Sequence, residues 1–181
     1  MASTGKATIY WFAGLSGSGK STIAEDTARH LETQGLKTLI LDGDAVRAAY
    51  ARPLGFTADD IREHLRLVAE MCVQARAERD AIFVPAISPL AEARAAARAR
   101  LGPGFHLVYV RASIAALERR DPKGLYARAR AGKLPDLVGY GPKAVPFEEP
   151  ADADLVLDTS ATAEADTVAA MLAFVRETLA R

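Results

Sequence analysis

The sequence is short of several things, and each shortage closes off a class of protein. One cysteine, Cys72, stands among 181 residues, so no intrachain disulfide can form and nothing points to an oxidising compartment. It falls in an apolar helical stripe and reads as a small core residue. Three histidines, His30, His64 and His106, are too scattered to suggest a zinc centre. Net charge is missing as well, with 23 Lys+Arg against 23 Asp+Glu. That balance argues against a nucleic-acid polymer or a membrane surface as partner, because both demand a basic excess. No apolar run reaches the length of a membrane span, since Gly and Ser interrupt the one beginning at Ile9. The N-terminus lacks the layout of a signal peptide. A cytoplasmic setting is expected.

What remains is ample for a folded core, because half the residues are hydrophobic. The length suits one domain spanning residues 1–181. Apolar periodicity predicts strands near 8–13, 37–41, 81–86, 106–110 and 154–158. It predicts helices near 20–34, 58–79, 89–101, 113–120 and 162–179, the last with Val168, Leu172, Val175 and Leu179 on one stripe. Gly35 is placed to close the first helix. Strands alternating with helices imply an α/β fold: a mostly parallel five-stranded sheet covered by helices on both faces.

Between the first strand and the first helix lies Gly14-Leu15-Ser16-Gly17-Ser18-Gly19-Lys20-Ser21, followed by Thr22. A G-x-x-x-x-G-K-S run in that setting is a phosphate-binding loop, and the fold is expected to be that of the P-loop nucleoside-triphosphate binders. The glycines let successive N–H groups face one concavity, and the helix N-terminus adds positive potential. Lys20 can reach the β- and γ-phosphates of ATP, and the Ser21 hydroxyl can sit on Mg²⁺.

Two further segments arrive at the same end of the sheet. Leu41-Asp42-Gly43-Asp44, with Arg47 beyond it, sets two carboxylates after the second strand. One reading has one carboxylate activating an acceptor hydroxyl while the other helps to hold hydrated Mg²⁺. The other is an Asx turn that merely makes the bend. Ile87-Ser88-Pro89 follows the third strand, where Ser88 is either a helix N-cap before Pro89 or a group with chemistry. That strand ends in Pro85-Ala86, with no Walker-B aspartate, which suits a small-molecule kinase better than a motor ATPase. Residues 121–150 form a connection long enough to be a lid, with one short helix near 124–131. Residues 119–133 hold six basic side chains against one acid.

These residues resemble the adenylylsulfate (APS) kinases, which phosphorylate the 3′-hydroxyl of adenosine 5′-phosphosulfate with MgATP. The likeness runs from about Ile9 to Ser160. Beyond the segments already quoted, it rests on Leu54-Gly55-Phe56, on Arg120-Asp121-Pro122-Lys123-Gly124-Leu125-Tyr126 with Ala129-Arg130-Ala131-Gly132, and on Val156-Leu157-Asp158-Thr159. It implies an acceptor pocket of Asp42, Asp44, Arg47, Phe56, Ile87 and Ser88, with Asp44 activating the hydroxyl. Ser88 matches a serine that some members carry phosphorylated. Arg120 and Lys123 would join the lid over the ATP phosphates, and family members often pair as homodimers.

Two departures stand out. The family pattern Asp-Arg-x-Glu-Asn is Asp60-Ile61-Arg62-Glu63-His64, and Asn-Phe-Thr-Gly is Asp136-Leu137-Val138-Gly139. In the family that arginine and that phenylalanine sandwich the adenine of the acceptor, and both are aliphatic in this chain. Either APS is still accepted at poorer affinity, or Arg62, His64 and Arg66 help to read another nucleotide, such as cytidine diphosphoramidate. A third reading, from another class, is a non-catalytic nucleotide-binding module.

Overall fold

A computed structural model describes residues 7–51 and 53–179. Five strands, β1 (Thr8–Ala13), β2 (Thr38–Ile40), β3 (Ala81–Pro85), β4 (Phe105–Arg111) and β5 (Leu155–Asp158), make one sheet. Their order is β2-β3-β1-β4-β5, and every pairing is parallel. The helices are α1 (Lys20–Thr33), α2 (Gly43–Ala48), α3 (Ala58–Ala75), α4 (Ala91–Leu101), α5 (Ile114–Arg120), α6 (Leu125–Arg130) and α7 (Glu164–Leu179).

Alternation along β1 explains the layers. Ile9, Trp11 and Ala13 enter a core with Leu65, Val68 and Cys72 of α3 and Ala93 and Ala97 of α4. Tyr10 and Phe12 enter a second core with Ile23, Ala28 and Leu31 of α1 and Met171 and Val175 of α7. Both faces of the sheet are therefore covered, which is why its central strands read as unbroken apolar runs. Cys72 is fully buried, and burial pushes its thiol up to about 12. A third, smaller cluster of Leu117, Tyr126, Ala129 and Leu137 belongs to segment 121–150 and its root. No helix among the described residues is long and apolar enough to cross a membrane.

The expected strands and helices form, with instructive differences at their ends. Helix α2 was not anticipated, since six residues are too few to show a period. Helix α3 stops at Ala75 instead of 79, where buried Arg76 turns its guanidinium onto the carbonyls of Ala7, Leu101 and Pro103. Helix α4 begins at Ala91, and its N-cap is Leu90, so Ser88 does not cap it. The Ala91 N–H instead donates to the carboxylate of Glu148, while the Glu148 N–H donates to the Pro89 carbonyl. The far end of segment 121–150 thus supplies the cap. In α7 the most buried positions are Thr167, Met171 and Val175, one residue round from most of the expected stripe.

Gly35 follows the last residue of α1's cap with φ +83°, the left-handed closure expected of it. Strand β1 lies between β3 and β4, so the loop after it opens at the carboxyl edge, where open α/β sheets bind ligands.

Met171, fully buried against the sheet, gauges the second core. Met171→Ala should cost about 2–5 kcal/mol of stability in urea denaturation.

Candidate active site

The loop after β1 is shaped by what it cannot contain. A Cβ at Gly14, where φ is +152°, would run into the Val110 carbonyl oxygen and Ser18 Oγ. Gly19 is the N-cap of α1, with φ +99° and no side-chain cap. The first N–H groups of α1 are consequently left for an external anion. Lys20 is buried, and its Nζ donates to the Gly14 and Leu15 carbonyls, both at 2.8 Å. Burial pushes its ammonium down to about 8, against the pull of Asp44 and Asp42.

The acidic turn meets this loop directly. Asp42 Oδ1 accepts the N–H groups of Asp44 at 3.0 Å and Ala45 at 3.1 Å, capping α2. Its other oxygen accepts Ser21 Oγ at 2.7 Å. The turn-forming role is therefore real, and the same carboxylate also reaches the phosphate loop. Asp44 projects outward and pairs with Lys123 of segment 121–150 at 3.0 Å. Arg47 donates to the Gly55 carbonyl at 2.6 Å, and its guanidinium carbon lies 4.7 Å from the Phe56 ring centroid.

One cavity is bordered by Ser16, Gly17, Gly19, Lys20, Ser21 and Thr22 on one side and by Asp42, Asp44, Arg47 and Phe56 on another. Ile61, His64, Ile87 and Ser88 line its inner end. An adjoining apolar hollow shares Asp44, Arg47, Phe56, Ile87 and Lys123, and is walled further by Leu54, Leu125 and Leu137.

Several expected site residues lie differently from their sequence reading. Ser88 is 1% exposed with φ +48°; its Oγ accepts the Trp11 indole N–H at 2.9 Å and its carbonyl accepts Arg94. Its hydroxyl is thus engaged from the core side. Arg62 does not border either hollow; it pairs with Asp59 and Glu92, each at 2.6 Å, on the outer face of α3. The 100° step per residue along a helix accounts for that. Arg120 donates to the Thr159 carbonyl and hydroxyl. Ile61 and Leu137 are each built into an apolar cluster, one in the α3 core and one in the cluster of segment 121–150.

His64 shares its Nδ1 with the Tyr50 hydroxyl at 3.0 Å. Burial, helped by Arg47 and opposed by Asp44, pushes it down to about 4. Tyr50, Tyr126 and Thr159 were not singled out from the sequence as site residues. Tyr126 and Thr159 do lie in the motifs carrying the family resemblance, whereas nothing in the sequence marks Tyr50.

Ser21 Oγ and Asp42 Oδ2 are two hard oxygens side by side, which suits Mg²⁺. No group of three or more His, Cys, Asp or Glu that could hold a metal occurs among the described residues. A metal would need water and phosphate oxygens to complete its shell.

Lys20 and His64 both hold their protons less tightly in the folded chain, so each makes stability rise with pH, one in an alkaline window and the other in an acid one. Lys20 holds its proton less tightly folded (about 8) than unfolded, so its charged burial costs most below pH 8 and the cost lifts as pH rises toward 10.5. Phosphate binding favours the ammonium, so nucleotide affinity should fall above pH 8 with proton uptake, visible by calorimetry in buffers of different ionisation heat. Neutral, buried His64 stabilises the fold fully above pH 6.5 and loses this as pH falls toward 4. His64→Asn should flatten that acid limb in thermal melts.

Comparison with known proteins places the chain in a family. Residues 6–158 match the family model described as adenylylsulphate kinase. The adenylyl-sulfate kinase of Bacillus pumilus is 40% identical over 95% of this chain and 86% of its own. That of Burkholderia ambifaria is 39% identical over 92% of this chain and 91% of its own. The structure of the Mycobacterium tuberculosis APS kinase in complex with AMPPNP and APS superposes with a TM-score of 0.82 at 35% identity, covering 98% of this chain and 99% of that one. The chain belongs to the adenylylsulphate kinase family, phosphotransferases that act on an alcohol group.

Proposed function

We propose that this protein transfers the γ-phosphoryl group of ATP to the 3′-hydroxyl of adenosine 5′-phosphosulfate. The observation that carries the reading is the single cavity shared by Lys20 and Ser21 of the phosphate loop and Asp42 and Asp44 of the acidic turn. In the transfer, the bond from the γ-phosphorus to the bridging oxygen of ADP breaks and a bond to the acceptor 3′-oxygen forms. The hydroxyl proton passes to the Asp44 carboxylate.

Lys20 leaves the Gly14 and Leu15 carbonyls for the β- and γ-phosphates, where its charge is better compensated. Mg²⁺ held by Ser21 and Asp42 would supply charge neutralisation at those phosphates. Lys123 trades Asp44 for phosphate oxygens, which frees the base as segment 121–150 covers the donor and keeps water out. Ser88 contributes the shape of the cavity's inner wall, with its hydroxyl committed to Trp11.

With Ile61 and Leu137 packed into apolar clusters, the exposed aromatic face offered to the acceptor base is Phe56, backed by Arg47. One platform discriminates bases less well than two. This favours a second reading in which cytidine nucleotides are also accepted.

ADP release should require an acceptor, and the product of APS should carry a new 3′-phosphate by mass spectrometry. Asp44→Ala should lower kcat about 10²- to 10⁴-fold with the melting temperature preserved; near-normal turnover would sink its role. Base stacking is worth about 1–3 kcal/mol, so Phe56→Ala should raise the acceptor KM about five- to a hundredfold and leave the KM for ATP unchanged.

A further inference from the structure

The phosphate loop is held by its carbonyls. Lys20 occupies those of Gly14 and Leu15, and it must let go when phosphates arrive. Two others are held by groups with no such duty. The Tyr126 hydroxyl donates to the Ser16 carbonyl at 2.7 Å, and the Thr159 hydroxyl donates to the Ser18 carbonyl at 2.9 Å. Both side chains are buried, and neither borders the cavity.

In a trans peptide the carbonyl and the next N–H point in opposite directions. Fixing the Ser16 carbonyl therefore fixes the N–H of Gly17, and fixing that of Ser18 fixes the N–H of Gly19. Gly17 and Gly19 do border the cavity. Left alone, these glycines would be the most freely rotating points of the loop.

The two anchors are themselves held in place. The Tyr126 N–H donates to Asp121, and its ring stands edge-on to Tyr140 at 5.0 Å. Pro122 and Tyr126 lie within about 4.0 Å of where a Gly17 Cβ would be. Thr159 continues β5, its N–H donating to the Arg111 carbonyl, while Arg120 donates to its oxygens. Arg120 ends α5 and Tyr126 lies in α6, so the root of segment 121–150 touches the loop through Tyr126 and braces Thr159 through Arg120.

We propose that Tyr126 and Thr159 are a pair of positioning residues whose hydroxyls aim the Gly17 and Gly19 amides at the donor phosphates. The pair sets ATP affinity and leaves the acceptor side alone. The inference rests on reading the loop as the cradle for ATP.

The test is AMPPNP binding by calorimetry without acceptor, together with steady-state kinetics, on Tyr126→Phe, Thr159→Val, the double variant and Thr159→Ser. Each loss of a hydroxyl should raise the AMPPNP Kd and the KM for ATP about three- to tenfold, the value of one hydrogen bond. The KM for APS should stay within about twofold, and Thr159→Ser should restore most of the ATP affinity because it keeps the donor. Failure of the wild type to bind AMPPNP would overturn the cradle reading itself. A wild type that binds while Tyr126→Phe and Thr159→Val bind equally well would overturn only the anchoring. Equal rises in both KM values, tracking a fall in melting temperature, would mean general loosening and would equally overturn it.

Discussion

The bond between Ser21 and Asp42 ties together two of the turns that meet at the carboxyl end of the sheet. One carboxylate caps α2 with one oxygen and accepts the first-turn hydroxyl of α1 with the other. Through it, the helix that follows the phosphate loop and the helix that carries Asp44 and Arg47 are tied to each other. Gly43 makes the approach possible, because a Cβ there would lie 3.1 Å from that of Ala86 on the neighbouring turn. Charge, cap and close backbone contact are therefore met by three consecutive residues, and loosening any one disturbs the other two.

The rest of the cavity is built outward from that knot. Strand β1 sends its loop into the crevice, β3 supplies the turn with Ile87 and Ser88, and segment 121–150 arrives from the opposite side with Lys123. Ser88 illustrates how tightly this is assembled. A non-glycine residue in the left-handed region costs about 1–3 kcal/mol, and it is retained by an indole donor on one side and a buried arginine on the other. The strained turn is thereby a fixed wall of the pocket.

Much of this was legible in the residues themselves. Strand–helix alternation, the glycine-lysine-serine loop and the acidic turn are each set by short-range rules: period, φ preference, carboxylate after a strand. Helix α2 escaped because six residues cannot display a period. Of the two readings open for Ser88, the cap fails because its competitor, Glu148, lies 60 positions further along the chain. Arg62, one position round the helix from Ile61, pairs outward with Glu92 of α4 and does not border the cavity. Long-range pairings of this kind, Tyr50 with His64 and Tyr126 with Ser16 included, leave no local trace. The sequence carries the groups, but only the fold says who meets whom.

The Lys123–Asp44 pair ties segment 121–150 to the acidic turn across the cavity. Both side chains are more than half exposed, so water and counterions compete for them, and such a clasp is worth at most about 1 kcal/mol. Thermal motion undoes a latch that weak many times over during each encounter with a ligand. That one contact therefore sets little resistance against an incoming triphosphate.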